Sequence, residues 1–533
     1  MASYFPHLTA TGPAPTANEI YTIYRKAFFQ QLSDGIRRPQ VYPLSYLSVF
    51  IAIIYLCIPH KQNPVVYAAR WPLVGLITWF EIRAIQQVSG VGLGMGFIAG
   101  MQSFFIIMWI WTWLIFKRPQ WDAKRVERRR VRVIKDVKKV PISEKTASKE
   151  EENSKKSADD TNLLPSEISN KETYEYFWQS YPDDLRERIS WVLDLLLNYR
   201  GPGWDWSVPI VRTLTPETLS KLENPPKDEA NSKNSSAPRK CNNSSCEIIR
   251  EIFLLIFCYL LLDVLWVLMM QDPYFKFGPT TYELPSHLKN LNPYVLYLYR
   301  LTLTGTIIIT SMRTGYAIFN NFVIHVLGSK VLGLRGEPWY YNQVWGDFSN
   351  VFDRGLGGLW GNFWHQTFRN FFTAPTSYLL KKGYIKPGKF TTKLTGLAFA
   401  FILSGLLHYA SMFTVFGDAY PSNEILFFGL QGVGVAIQSS LSKAFSPLIV
   451  KLPARIRQIG NFIFTLAWFY LTGWLESDNV GRSGVLLIPL VPFSPLIYFG
   501  LGEPDANWIC WESFNYMWYT GKNWFDSGFF IYA

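Results

Sequence analysis

The sequence predicts an all-α fold, a polytopic transmembrane helical bundle of about eight to ten spans, and two observations lead to this prediction. Apolar residues lie in blocks of about 18–25 with little or no charge, which is the length that a helix needs to cross a bilayer. Charged residues make up only 17% of the 533 residues, and aromatic residues make up another 17%. Soluble domains have about 25% charged residues, so the composition favours a membrane protein.

Charge and cysteine content exclude two other classes of function. The net charge of +12 comes mostly from Lys and Arg near the ends of the apolar blocks, where they set membrane topology. We therefore expect a lipid bilayer as partner and no nucleic acid. The five cysteines show no CxxC repeat and no Cys/His spacing typical of a metal site, so we expect no metal ion.

Residues 1–116 form the first predicted region, an amphipathic helix followed by the first spans. Residues 18–37 place apolar side chains at helical spacing beside basic ones, which is typical of an interfacial helix and equally of a helix packed on protein. Nothing in residues 1–17 resembles an apolar signal sequence, so the first span is expected to direct insertion. The glycines of residues 90–96 lack the preceding strand of a nucleotide-binding loop, and we assign them to close helix packing.

Residues 117–248 form the second region, a long polar loop that we expect to be cytosolic and partly disordered. Its basic run after the third span favours the cytosol, although Arg37 and Arg38 before the first span favour it too, and three spans cannot place both there. We follow the longer run, and so expect the sequons at Asn234, Asn242 and Asn243 to be unglycosylated. The aromatic stretch 173–222 is expected to fold against the membrane region.

Residues 249–533 form the third region, with a core at 340–500 and the remaining spans. The complete set of predicted spans is 41–58, 66–82, 91–116, 249–270, 294–327, 394–416, 425–442, 460–475 and 483–500. Ionisable residues inside spans are functional candidates by default. For Asp263 and Arg300 we predict a structural ion pair with each other, and for His325 a structural hydrogen bond.

Two histidines are the candidate catalytic residues. His408 follows Ser404 and Gly405 in an apolar helix, and burial keeps an imidazole neutral and able to act as a general base; a purely structural role is the alternative. His365 lies in an aromatic segment predicted to form one interfacial helix from Trp360 to Phe371. There the histidine is either a polar group at the mouth of a membrane chamber or an incidental member of an aromatic belt.

The two segments together resemble the wax synthase domain, a family related to the membrane-bound O-acyltransferases. Its upstream motif, Phe-Trp-Gly-Arg-x-Trp-(Asn or His), stands here as Trp360-Gly361-Asn362-Phe363-Trp364-His365-Gln366 after Leu359. Its downstream motif, Ser-Gly-Leu-(Leu or Met)-His, stands here as residues 404–408. The layout is similar to fungal members that act in secondary metabolism. Asn362 departs from the pattern, since an Arg, which could contact a phosphate of CoA, is usual at that position.

The resemblance implies acyl transfer from acyl-CoA to a hydroxyl group, with acyl-CoA (acetyl-CoA) as co-substrate and no bound cofactor. It assigns His408 as general base and His365 as the group that orients or polarises the thioester carbonyl. It also implies substrate contacts by a set of neighbouring residues: Trp360, Asn362, Trp364, Gln366 and Ser404. The lysines of residues 381–389 either attract the phosphates of CoA or enforce topology and bind lipid headgroups.

Three functions follow as alternatives. The first is an O-acetyltransferase acting on a hydroxylated lipophilic metabolite such as a terpenoid, in the endoplasmic reticulum membrane. The second is the same chemistry with long acyl chains, which gives wax or steryl esters. The third is a transporter, for which inverted repeats or paired broken helices are expected and none is visible in the sequence. The acceptor and the oligomeric state are not encoded in any motif.

Overall fold

The computed structural model describes residues 12–132, 172–208, 218, 220, 222, 244–341 and 344–532. The predicted sequons at Asn234, Asn242 and Asn243 lie outside the described residues. The longer helices are α1 (Ala17–Ser33), α2 (Leu47–Cys57), α3 (Arg70–Gln87), α4 (Met95–Ile110), α5 (Leu185–Leu197), α6 (Ser244–Gln271), α7 (Pro293–Asn321), α8 (Ser349–Gly358), α9 (Arg369–Lys381), α10 (Phe390–Thr414), α11 (Pro421–Ala444), α12 (Ala454–Thr472) and α13 (Trp474–Ser483).

Short helical segments and two hairpins complete the described chain. The short α-helices are Pro64–Ala68, Pro119–Asp122, Tyr274–Phe277, Ser286–Lys289, Gly328–Leu332, Ser446–Ile449 and Pro495–Tyr498. π-helical turns cover Trp111–Phe116, Phe322–Leu327 and Leu359–Phe363. Strands β1 (Arg125–Arg132) and β2 (Glu172–Gln179) form one antiparallel hairpin, and β3 (Asn515–Tyr519) and β4 (Gly528–Tyr532) form another.

The all-α bundle is confirmed, with fewer spans than predicted. Among the described residues, six helical stretches are long and apolar enough to cross a membrane: Pro64–Gln87, Met95–Phe116, Ile249–Gln271, Pro293–Gly336, Phe390–Thr414 and Pro421–Ala444. The prediction for 483–500 is wrong, because Pro489, Pro492 and Pro495 interrupt it and leave a single helical turn. The prediction for 41–58 yields only the 11 residues of α2, about 16 Å of helix against about 30 Å of hydrocarbon.

Helix α1 packs on protein. Its buried side chains Ile20, Tyr24 and Phe28 join a core with the end of α6 and the segment 486–491, and Phe28 meets Phe416 edge to face at 5.5 Å. Of the two alternatives for this amphipathic helix, the structure favours packing against the bundle.

The second region contains more structure than a polar loop. Part of its basic run forms β1, which pairs with β2. Trp191 and Leu195 of α5 are fully buried and share a core with Trp109 of α4 and with Trp113 of the π-helical turn that follows it. The aromatic stretch therefore packs against the membrane helices, as its composition indicates.

The predicted ion pair between Asp263 and Arg300 is wrong. Arg300 donates instead to both carboxylate oxygens of Asp272, at 2.7 and 2.8 Å. Asp263 accepts from the hydroxyl of Ser494 and from the backbone N–H of Leu496. Asp272 follows α6 directly, so it meets the first turns of α7, whereas Asp263 lies two turns deeper. His325 is exposed in the π-helical turn that follows α7.

Candidate active site

Helix α10, which carries His408, is held between two other helices by small residues. A Cβ atom on Gly96 or Gly100 of α4 would come within 2.6 or 2.0 Å of backbone oxygens of α10. On the opposite side, a Cβ atom on Gly405 would lie 3.0 Å from the Cα atom of Ile425 in α11. The prediction that the glycines before and within α4 permit close packing is confirmed, and the backbones of the three helices nearly touch.

His408 lies where these three helices meet. Its ring stacks on Phe428 of α11, with centroids 4.6 Å apart and planes 25° apart, and it faces Phe97 of α4 at 6.2 Å. The side chain stays partly accessible although it lies deep inside the protein. Its Nδ1 atom is buried and accepts or donates no hydrogen bond within the described residues. Two aromatic rings thus fix the plane of the imidazole, and its Nδ1 atom has no protein partner among the described residues.

The upstream motif does not form the single interfacial helix that its spacing predicts. A π-helical turn covers Leu359–Phe363, after which Trp364 adopts extended backbone angles (φ −56°, ψ 145°). The chain then runs without helix until α9 begins at Arg369. The periodic aromatic residues therefore belong to a π-helical turn and to the loop that follows it. His365 lies in this loop, which is the break between the turn and α9.

Gln366 and Arg369 hold this break together. A helix that ends at Phe363 leaves its last carbonyl groups without helical partners. Arg369 Nη1 donates to the Gly361 carbonyl at 2.6 Å and to Gln366 Oε1 at 2.7 Å. Gln366 Nε2 donates to the Trp364 carbonyl at 2.6 Å and to the Trp360 carbonyl at 3.4 Å. Both polar atoms of Gln366, a predicted substrate contact, are therefore used to shape the loop around His365.

We expect Arg369→Ala to lower turnover by about 10–100-fold while KM for the acyl donor changes little. The variant removes the donor of two hydrogen bonds that shape the loop, each worth about 1.5–3 kcal/mol. The loop can then shift His365, and a small displacement of a reacting group lowers the rate by a factor of about this size. Steady-state kinetics on purified membranes measure both constants. Arg457→Ala, an exposed arginine in α12, is the matched control. Unchanged turnover in Arg369→Ala would show that the loop holds its shape without this residue.

His365 is surrounded by aromatic rings. Trp345, Trp364 and Phe368 lie with ring centroids 5.9, 5.5 and 5.8 Å from its own. Burial lowers the pKa of His365 to about 3, and the neighbouring His408 and Arg200 act in the same direction. The imidazole is therefore neutral at physiological pH. Its Nδ1 atom is also buried without a partner among the described residues.

The lowered pKa of His365 predicts how stability depends on pH. Below about pH 6.5 the unfolded chain takes up a proton at this histidine, whereas the folded protein does so only near pH 3, so folding stability falls as pH falls through that window. We expect the melting temperature of the detergent-solubilised protein to drop more steeply from pH 6.5 to 4 in the wild type than in His365→Asn, whose side chain does not titrate. Identical slopes would contradict the burial of this imidazole.

An aromatic path joins the two histidines. The ring centroids of Trp364 and Trp360 are 5.3 Å apart, and those of Trp360 and Phe428 are 5.9 Å apart. Phe428 is the ring that stacks on His408. Trp360 also donates from Nε1 to Gln431 Oε1 at 3.4 Å. The structure thus brings the two predicted catalytic residues into one interior region, linked by the rings of Trp364, Trp360 and Phe428.

The other predicted contacts lie at the edges of this region. Ser404 is half-buried in α10 one helical turn before His408. Asn362 is half-buried and accepts a hydrogen bond at 3.4 Å from Arg354, an exposed residue of α8. A guanidinium group therefore stands beside the position where the related motif has an arginine.

Sequence reasoning missed three residues that shape the site. Arg369 is one of many basic residues in its segment, and no local sequence pattern distinguishes it from those that set topology. Phe428 and Trp345 belong to segments remote in sequence from either motif. Only the packing of α11 and of the loop before α8 brings these rings to the histidines.

Residues 341–430 match the family model of the Membrane bound O-acyl transferase family. This stretch contains both motifs, and the resemblance read from them is confirmed. No solved structure matches the chain.

Among curated proteins, similar chains come from fungi. Acetyltransferase ple2 of Rhodocybe pseudopiperita is 24% identical over 303 residues, 56% of this chain and 69% of that protein. Acetyltransferase spyB of Aspergillus fumigatus is 34% identical over 155 residues, 26% of each chain. O-Mevalon transferase yanI of Aspergillus niger is 22% identical over 313 residues, 54% of this chain and 60% of that protein. At this modest identity, the matches support a membrane acyltransferase.

Proposed function

We propose that this protein, whose motif-bearing segment resembles the membrane bound O-acyl transferases, moves an acetyl group from acetyl-CoA to a hydroxyl group of a lipophilic secondary metabolite such as a terpenoid. The observation that carries the proposal is that His365 and His408 lie in one aromatic interior region. Each has a buried Nδ1 atom that forms no hydrogen bond with any described residue. Buried polar atoms without protein partners are costly, and a substrate would supply the missing partners.

In the proposed reaction His408 takes the proton of the acceptor hydroxyl as its oxygen attacks the thioester carbonyl carbon. The C–O bond forms, the C–S bond then breaks, and the proton passes from His408 to the departing CoA thiolate. The products are an ester and free CoA, so no proton is gained or lost overall. A general base contributes about 10²–10⁴-fold to the rate.

His365 supports this step as a neutral donor. A neutral imidazole carries one N–H group, which in this proposal is aimed at the carbonyl oxygen where negative charge develops. Its low pKa suits the role, because the group stays neutral while it polarises the carbonyl. The loop that Gln366 and Arg369 shape keeps the ring in place before substrate binds.

The cationic face around α9 is the proposed entry for acyl-CoA from the cytosol. Lys382, Lys386 and Lys389 lie near or after the end of this helix, and Lys381 pairs with Asp122 at 2.7 Å. Arg354, beside Asn362, adds a further exposed cation. We assign the phosphates of CoA to this face because its charges attract them. An endoplasmic reticulum location would give it access to the cytosolic pool.

The test is direct ester synthesis. Membranes that contain the protein are incubated with acetyl-CoA or long-chain acyl-CoAs and a panel of terpenoid, sterol and fatty alcohols, and the esters are identified by mass. We expect acetyl esters of a lipophilic alcohol. Long-chain esters alone would favour a wax or steryl ester synthase, and no ester with any donor would contradict acyl transfer.

A further inference from the structure

A second polar cavity lies in the amino-terminal half of the bundle, away from the two histidines. It is lined by α3, by α4, by the segment 38–45 and by the loop before β4. Helix α4 separates it from His408, because Ala99, Gln102 and Ser103 line the cavity while Phe97 faces His408. The cavity is therefore distinct from the proposed reaction site.

Its central residue is Glu81, a carboxyl group inside a membrane helix that the sequence analysis passed over. Glu81 is only 2% exposed, and Ser48 and Ser103 lie beside its carboxyl group. Its Oε1 atom has no hydrogen-bond partner among the described residues. A carboxyl group inside a membrane helix is costly, and it is a functional candidate by default.

Two further unpartnered atoms line the same cavity. Arg38 forms an ion pair with Asp526 through Nη1, yet its Nε atom is buried without a partner among the described residues. The same holds for the hydroxyl of Ser45. Gln102, in contrast, is satisfied by Gln40 and by the Ser45 carbonyl. Glu81, Arg38 and Ser45 thus line one cavity, and each carries a buried polar atom that has no hydrogen-bond partner among the described residues.

We propose that this cavity binds the hydroxyl group of an amphipathic molecule, a lipophilic alcohol. The guest must donate to Glu81 and accept from Arg38. A hydroxyl group does both, whereas an ammonium group has no acceptor and a carboxylate or phosphate has no donor. Much of the remaining wall is apolar, with Leu44, Phe80, Ala84 and Phe525. A water molecule could form hydrogen bonds with Glu81 and Arg38, but it would make no apolar contact with that wall.

This inference does not rest on the proposed function, since it concerns binding on the far side of α4. The test uses the purified 533-residue chain in detergent and a long-chain alkan-1-ol that carries a diazirine at its far end. After irradiation, labelled peptides are found by mass spectrometry. We expect labels on the peptides of Phe80 and Phe525, displaced by excess unlabelled alkanol and unaffected by His408→Ala.

Three comparisons decide the outcome. The methyl ether of the probe, which cannot donate, should label these peptides about tenfold less, and so should the alcohol on Glu81→Leu. Ala84→Phe, which adds a bulky ring to the cavity wall and leaves Glu81 in place, should reduce labelling even if Glu81→Leu folds poorly. Equal labelling by alcohol and ether, stronger labelling by the matching primary amine, or labelling that excess alkanol does not displace would each overturn the proposal.

Discussion

We expect His408→Ala to reach the membrane in normal amounts and to lose about 10²–10⁴-fold in ester formation, the usual contribution of a positioned general base. The helix should survive, because alanine favours helix and the close contacts of α10 are made by its backbone and by neighbouring glycines. The measurement is the initial rate of ester synthesis at equal protein in isolated membranes. The loss should appear in kcat, since the proton is transferred only in the transition state.

The control for this variant is His325→Ala. His325 is exposed in the π-helical turn after α7, so its removal tests the general effect of losing an imidazole. Normal turnover by His408→Ala would contradict the proposed mechanism, whatever the result for His325→Ala. Loss of the protein from the membrane would instead mean that the stacking of His408 on Phe428 is needed for folding; His408→Gln, which keeps a flat polar group, then separates the two roles.

The second large effect is expected at His365. His365→Ala should lower turnover by about 10²–10³-fold, the typical cost of removing one donor to a developing oxyanion. His365→Asn should keep part of the activity, because an amide also presents an N–H donor. The rates are measured with saturating acetyl-CoA, so that differences in donor binding do not obscure the chemical step.

The comparison between the two substitutions carries the interpretation. If asparagine were no better than alanine, the donor role of His365 would be wrong, and the ring would serve only to fill space among Trp345, Trp364 and Phe368. Phe368→Leu is a useful control, since it alters the same aromatic pocket without removing a polar group. It should reduce turnover far less than His365→Ala.

Local sequence signals predicted much of the fold. Long apolar blocks identify membrane helices because a helix in hydrocarbon must be apolar over its whole length. The same rule failed for 483–500, where three prolines interrupt the apolar residues. Apolar length alone does not register that proline breaks a helix. The strand pairing of the basic run Arg125–Arg132 was also missed, since its partner lies 40 or more residues away.

Ion pairs in the bundle show the same limit. Asp263 and Arg300 are a natural guess from composition, but Arg300 pairs with Asp272. The choice depends on the depth of each residue along its helix and on the rotation of one helix against another. Neither quantity is written in the local sequence, so the partner was decided by packing.

The sequence by itself determined that this chain is a multi-pass helical membrane protein and that His365 and His408 are its candidate catalytic pair. Both follow from local features, namely continuous apolar length and two short motifs. Tertiary structure alone decided that the first histidine sits in a helix break shaped by Arg369, that the second stacks on Phe428, and that Glu81 opens onto a separate cavity. These arrangements depend on contacts between segments far apart in the chain, where the free energy comes from packing and burial of polar groups and leaves no periodic signal.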